Sequence, residues 1–176
     1  MSFSAADYWA GSAEAGQAAI SPAADAAFPA KIYVEPTNRC NLNCLTCIRN
    51  AWDEPPGEMT PATFDRVLDA VRACPSPPTV FFGGFGEPLF HPRIVAMVRA
   101  AKASGAPVEL ITNAMLLTDS TARALIAAGL DVLWVSLDGA KPESYADVRL
   151  GAALPDVIAN VRHVRDMGRE HALRNG

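Results

Sequence analysis

KIYVEPTNRCNLNCLTC, residues 31–47, runs from an apolar, β-branched stretch straight into three cysteines within eight positions. Lys31 to Pro36 reads as a short strand. The segment after it leaves the carboxyl end of that strand, where ligands gather in parallel α/β folds. Cys40, Cys44 and Cys47 follow the pattern C-x3-C-x2-C. So short a loop can bring three thiolates to three irons of a cubane, leaving one iron without a protein ligand. The alternative is structural zinc, completed by Cys74 or by His91. Spacing favours the open iron–sulfur cluster, because zinc loops usually carry two C-x2-C-type pairs.

Moving outward, the same grammar repeats. KIYVEP, TVFF, VELIT and DVLWVS are short β-rich runs, each followed by a helical pattern. Thr60 is placed to cap a helix with Pro61 at its first position and Phe64, Val67, Leu68 and Val71 on one face. Pro92 opens a second helix that Gly105 closes, and Thr118 opens a third that Gly129 closes. Pro155 opens a fourth, with Val157, Ile158, Val161 and Val164 on one stripe and Gly168 beyond it.

Strand-then-helix units repeated four times imply a parallel sheet, since a short loop cannot return a strand in the same direction. Strand centres at Val34, Phe81, Leu110 and Trp134 lie 47, 29 and 24 residues apart. The first gap therefore holds roughly twenty residues beyond an ordinary connection, and the cysteines are among them.

Composition narrows the function classes. The chain has 176 residues, half of them hydrophobic and 19% charged, the profile of a buried globular domain. A net charge of −4 gives no general attraction to a phosphate backbone, which disfavours nucleic acid. No apolar run approaches the roughly 18 residues of a membrane span. The first Lys or Arg is Lys31, so the start does not read as a secretory signal. The expected setting is the cytosol, where clustered cysteines suggest metal or catalysis before disulfides. Residues 1–30, rich in Ala and Ser, read as a loosely ordered lead-in to a domain spanning 31–176.

Polar groups follow the later strands too. GGFGEPLFHP, residues 83–92, offers glycines for close backbone approach and Glu87 as a partner for an ammonium group. Its bland reading is a strand-to-helix turn. Thr112 and Asn113 follow the third strand, and Ser136 and Asp138 the fourth, where Asp138-Gly139 also suits a plain turn. All fall at the same end of the sheet as the cysteines.

These stretches resemble the radical S-adenosylmethionine (SAM) superfamily from Lys31 onward. The ordered signature is C-x3-C-x2-C after the first strand, a Gly-Glu-Pro loop after the second and SLDG after the fourth. PTNRCNLNCLTCIRNAWDEPPGEM, FFGGFGEPLFHP, ELITNAMLL and WVSLDGAKPESYADVR resemble most closely the maturases associated with tungsten-cofactor aldehyde oxidoreductases. The resemblance implies a partial (β/α) barrel and a [4Fe-4S] cluster on Cys40, Cys44 and Cys47. SAM would bind the fourth iron and be cleaved to a 5′-deoxyadenosyl radical.

Carried over by motif, Phe85, Gly86 and Glu87 would meet the methionyl amine. Asn113, Ser136 and Asp138 would lie near the ribose and methionyl carboxylate. Arg149 is a candidate partner for that carboxylate, or else a solvated arginine on a helix flank. The resemblance further implies a reductant such as ferredoxin or flavodoxin, and a tungsten-dependent oxidoreductase or its cofactor as the target.

Two departures stand out. Thr46 occupies the place where the family often has an aromatic that packs on adenine, leaving Ile48 as a substitute. Phe85 stands where many members have the first glycine of Gly-Gly-Glu, which keeps the backbone contacts only if its φ is negative. The family core has about six strand–helix units and four are legible here. A truncated core, with its fourth strand an exposed edge and weak SAM binding, is therefore expected. The competing expectations are a non-catalytic zinc or iron–sulfur domain, and an inactive partial barrel that needs a partner chain.

Overall fold

The computed structural model describes residues 28–175, so nearly all of the expected lead-in over 1–30 lies outside the described residues. The four expected strands form as β1 (Lys31–Val34), β2 (Thr79–Phe82), β3 (Val108–Thr112) and β4 (Val132–Val135). They make one sheet in the order β1-β2-β3-β4, with every neighbouring pair parallel. Register sets Tyr33 opposite Phe81, Phe81 opposite Glu109 and Ile111 opposite Trp134. This is the parallel α/β architecture read from the repeat, and it agrees with the partial barrel that the resemblance implied.

The helices are α1 (Pro61–Ala73), α2 (Ile94–Ala103), α3 (Asp119–Ala127), α4 (Pro142–Val148) and α5 (Leu154–Asn175). Thr60 and Thr118 cap α1 and α3, each hydroxyl oxygen accepting from a backbone N–H three residues on. Gly105 and Gly129 stop α2 and α3 at φ of 85° and 86°, a region that costs a residue with a Cβ.

Two boundaries and one helix differ from expectation. Pro92 sits in the turn before α2, which begins at Ile94. Gly168 does not follow the last helix but lies inside α5. A single mid-helix glycine costs only about 1 kcal/mol, and α5 continues past it with pairs such as Arg174–Glu170 at 2.9 Å. The periodicity also gave no sign of α4, whose seven residues bury a single side chain, Tyr145.

One face of the sheet carries the core. Val34, Val80, Phe82, Val108 and Leu110 are at most 2% exposed and meet Phe64, Leu68, Val71, Met97, Val98 and Leu125 from the helices. The alternate residues of the strands stand on the other face. There Lys31 donates to Glu109 at 2.9 Å, Trp134 Nε1 donates to the same carboxylate at 2.7 Å, and Tyr33 packs on Phe81. These contacts link all four strands across the uncovered face. β4 stands at one edge, with Val132 and Trp134 exposed. No helix among the described residues is long and apolar enough to cross a membrane.

Helices α3 and α5 are pinned together by Asp119, which accepts from Arg123 Nε at 2.8 Å and pairs with His163 Nε2 of α5 at 2.5 Å. Arg123, then His163, lower its carboxyl from 3.8 to about 2. A carboxyl depressed on folding adds stability above its unfolded value, and that contribution is lost as pH falls through the folded value. Both side chains are half exposed, so the effect is small. Asp119→Asn is expected to lower the melting temperature slightly at neutral pH. In melts followed by circular dichroism, the gap from the parent should close between about pH 4 and about pH 2.

Candidate functional site

The long connection after β1 is closed at its base by its own ends. Met59 N donates to Pro36 O at 2.7 Å, Thr37 Oγ1 to Gly57 O at 2.6 Å, and Gly57 N to Asn38 Oδ1 at 2.6 Å. Residues 40–54 therefore form a loop anchored on the carboxyl end of β1. Within it, Cys47 N donates to Cys44 O and Asn50 Nδ2 to the same carbonyl, and a turn of 3-10 helix over Ile48–Ala51 follows the last cysteine.

The glycine-rich turn after β2 lies directly on this base. A Cβ on Gly86 would sit 2.0 Å from Thr37 O and 2.6 Å from Arg39 O, so only glycine fits there. Glu87 N donates to Arg39 O at 2.8 Å. From beneath, Glu35 Oε1 accepts from Phe85 N at 2.5 Å and from Gly86 N at 3.3 Å. The side chain of Phe85 is half exposed and meets Trp52 edge-on. Ala114 is the one non-glycine with positive φ among the described residues, so the backbone at Phe85 is unstrained.

Glu87 turns its carboxylate inward. It is 2% exposed and accepts from Thr112 Oγ1 at 2.7 Å, Asn113 N at 2.8 Å and Leu89 N at 3.0 Å. Burial pushes this carboxyl above its ordinary range, against the three donors that pull it down. The group thereby clamps the turn after β2 to the end of β3. Asn113 faces the cysteine loop, with Nδ2 donating to Asn41 Oδ1 at 2.9 Å and lying 3.7 Å from Cys40 Sγ.

Beyond β4, Arg149 gathers the polar groups. Its Nε donates to Asp138 at 2.8 Å, and its Nη2 reaches Ser136 Oγ at 2.6 Å and Asp138 at 2.7 Å. The residue is 6% exposed, which rules out the solvated alternative. The segment around it also straps the cysteine loop: Leu45 N donates to Val148 O at 2.9 Å and Asn43 N to Leu150 O at 3.3 Å.

These elements enclose an open cleft of about 120 Å³ lined by Cys40, Cys44, Gly84, Gly86, Glu87, Thr112, Asn113, Ser136 and Arg149. Cys47, Phe85 and Asp138 stand outside its lining, Asp138 acting on it through Arg149. Burial pushes the Cys44 thiol up, Arg149 opposes that shift, and the charges of Cys40 and Cys47 add to it. The three sulfurs therefore sense one another. Among the described residues, no three His, Cys, Asp or Glu side chains close on a single metal ion.

The two alternative fourth ligands are elsewhere. Cys74 caps the carboxyl end of α1, leading into β2 at the far end of the sheet, and its thiol donates to Ala70 O. His91 has Nδ1 accepting from Arg93 N and Nε2 against Met59 O. Sequence reasoning missed Glu35, Tyr145 and the strap at 148–150. Nothing in the periodicity marks them, because Glu35 and the strap act through partners many positions away and Tyr145 is the single buried residue of a seven-residue helix.

Comparison with known proteins adds the following. The model of the radical SAM superfamily matches residues 34–174. A tungsten-containing aldehyde ferredoxin oxidoreductase cofactor-modifying protein of Pyrococcus furiosus is 38% identical over 128 residues, covering 73% of this chain and 36% of that protein. An AdoMet-dependent heme synthase of Methanosarcina barkeri is 34% identical over 139 residues, covering 78% and 39%. Among solved structures, Streptococcus suis SuiB bound to S-adenosylmethionine superposes with a TM-score of 0.67 at 22% identity, covering 80% of this chain and 32% of that one. Methylornithine synthase gives 0.66 at 15% identity, covering 78% and 42%. The chain thus spans well under half the length of the curated relatives named.

The tight seat of Gly86 gives a direct test. Gly86→Ala drives a methyl into backbone and should cost about 3 kcal/mol or more, the upper end of overpacking effects. Gly57→Ala, whose Cβ meets nothing nearer than 4.0 Å, should leave stability nearly unchanged. Chemical denaturation of both variants measures the difference.

Proposed function

The chain belongs to the radical SAM superfamily, and from that premise we propose that it binds a [4Fe-4S] cluster through Cys40, Cys44 and Cys47 and binds SAM beside it. When bound, these groups supply reductive cleavage of the sulfonium and a 5′-deoxyadenosyl radical that abstracts hydrogen from a substrate. The observation that carries the reading is convergence: groups following all four strands border one cleft with Cys40 and Cys44.

The chain's own part is to hold and orient. Phe85 and Gly86 point their N–H groups at Glu35. Because trans peptides set C=O opposite N–H, the carbonyls of Gly84 and Phe85 face away from that carboxylate, as acceptors for the methionyl ammonium. Arg149 spends Nε and both Nη2 hydrogens on Asp138 and Ser136. Its Nη1 pair remains for the methionyl carboxylate. Asn113, fixed on the cysteine loop, stands between the two. Ile48 is exposed beside Cys47 and is the apolar surface offered to adenine.

A cleft of about 120 Å³ is small against the roughly 300 Å³ and more of pockets that enclose a drug-sized ligand. SAM is therefore held at its methionyl end with adenine poorly covered, and binding is weak. An electron donor such as ferredoxin or flavodoxin completes the reaction. Maturation of a tungsten-dependent oxidoreductase or its cofactor is the target best supported, since the Pyrococcus furiosus relative is named for that task. We place the radical SAM core at 31–176 after the 1–30 lead-in, and the protein in the cytosol. The exposed edge of β4 favours a second reading, in which turnover needs further strands from a partner chain.

Anaerobic reconstitution with iron and sulfide should give a brown protein with about four irons per chain, a spectrum that SAM perturbs, and little 5′-deoxyadenosine. Alanine at Cys40, Cys44 or Cys47 should abolish cluster retention, whereas Cys74→Ala should retain it. A colourless protein with stoichiometric zinc, or loss of metal on replacing Cys74, would sink the proposal.

A further inference from the structure

The side chain of Asn113 is 5% exposed and spends its polar atoms on the chain itself. Met115 N donates to its Oδ1 at 2.9 Å, so the amide faces one way only, with its NH2 toward the cysteine loop. Nδ2 carries two hydrogens and has two acceptors: Asn41 Oδ1 at 2.9 Å and Cys40 Sγ at 3.7 Å.

The backbone is arranged to the same end. Asn113 N donates to the buried Glu87 carboxylate at 2.8 Å. Ala114, next along, has φ of 62°, a left-handed conformation that is unfavourable for a residue with a Cβ. That turn brings Met115 N back onto Asn113 Oδ1. Strain of this kind persists only where the surroundings hold it, and it concentrates at functional sites.

Cys40 is singled out as well. Leu42 N reaches its sulfur at 3.4 Å, so two N–H groups converge on one Sγ. Among the described residues, it is the one cysteine of the three whose sulfur has such donors. Both Cys40 and Asn113 line the cleft.

A neutral thiol is a weak acceptor, whereas a metal-bound thiolate is a strong one. We infer that Asn113 is a positioning residue for Cys40, holding the sulfur at the cleft and donating to it once it ligates the cluster. Such a bond stabilises the more negative, reduced state and so raises the cluster's potential. The resemblance placed Asn113 beside SAM; here both amide hydrogens belong to the protein, and its part is played toward the sulfur. The inference rests on the cluster reading above.

Asn113→Ala removes both donors, and Asn113→Asp removes them while keeping an acceptor for Met115 N. After anaerobic reconstitution of the full chain, redox titration without SAM should find the alanine variant's cluster harder to reduce by about tenfold, or about 59 mV for one electron. The aspartate variant should shift further the same way, because its charge opposes the added electron. Mere loosening of the site would admit water, which favours the more negative state and moves the potential upward. An unchanged or raised potential would overturn the inference, and weaker SAM binding at an unchanged potential would assign Asn113 to SAM instead. A second measurement needs no variant. With asparagine isotopically labelled at its side-chain nitrogen, pulsed electron paramagnetic resonance of the reduced parent cluster should show a coupling to that nitrogen, and its absence would equally overturn the inference. If the parent chain never assembles a cluster, the functional reading fails first and this inference goes with it.

Discussion

The mouth of this sheet depends on one contact without side chains: the backbone at Gly86 resting on the backbone of Thr37 to Arg39. Any Cβ at that position would push the two segments apart. Their closeness lets Glu87 N reach Arg39 O, and that bond fixes the direction in which the Glu87 side chain leaves the loop. The carboxylate then enters the interior and accepts three hydrogen bonds, two of them from the end of β3. Three strand ends are tied in this way through one glycine and one acid.

Burying a carboxylate is not a cheap way to gain stability. Desolvation outweighs the three donors in the net displacement of Glu87, so the clamp contributes geometry more than free energy. The fourth strand joins by a different route. Arg149 gathers Ser136 and Asp138, while the chain on either side of it straps the cysteine loop. The loop is thus held at its base by 55–59 and near its tip by 148–150. A loop fixed at both points can present side chains with the precision usually confined to regular elements.

Much of this was legible beforehand. Apolar runs, capping threonines, helix-opening prolines and closing glycines located the four strands and four of the five helices, because those signals are local and act within a few residues. The C-x3-C-x2-C spacing and the polar ends after each strand pointed to one mouth because parallel connectivity sends all carboxyl ends the same way. What escaped notice was short or long-range. Helix α4 has one buried side chain and hence no periodicity, and a glycine in α5 looked like a stop when it was only a tolerated defect.

The linear order of residues was therefore enough to establish a parallel sheet with the cysteines at its carboxyl end, since strand alternation and crossover length are properties of neighbours along the chain. It could not say that Glu87 would face inward, that Arg149 would be buried, or that Tyr145 would lie beneath it. The Glu87 and Arg149 outcomes turn on which donor meets which acceptor across 11 to 26 positions. Only packing, by excluding water and fixing distances, chooses among such pairs.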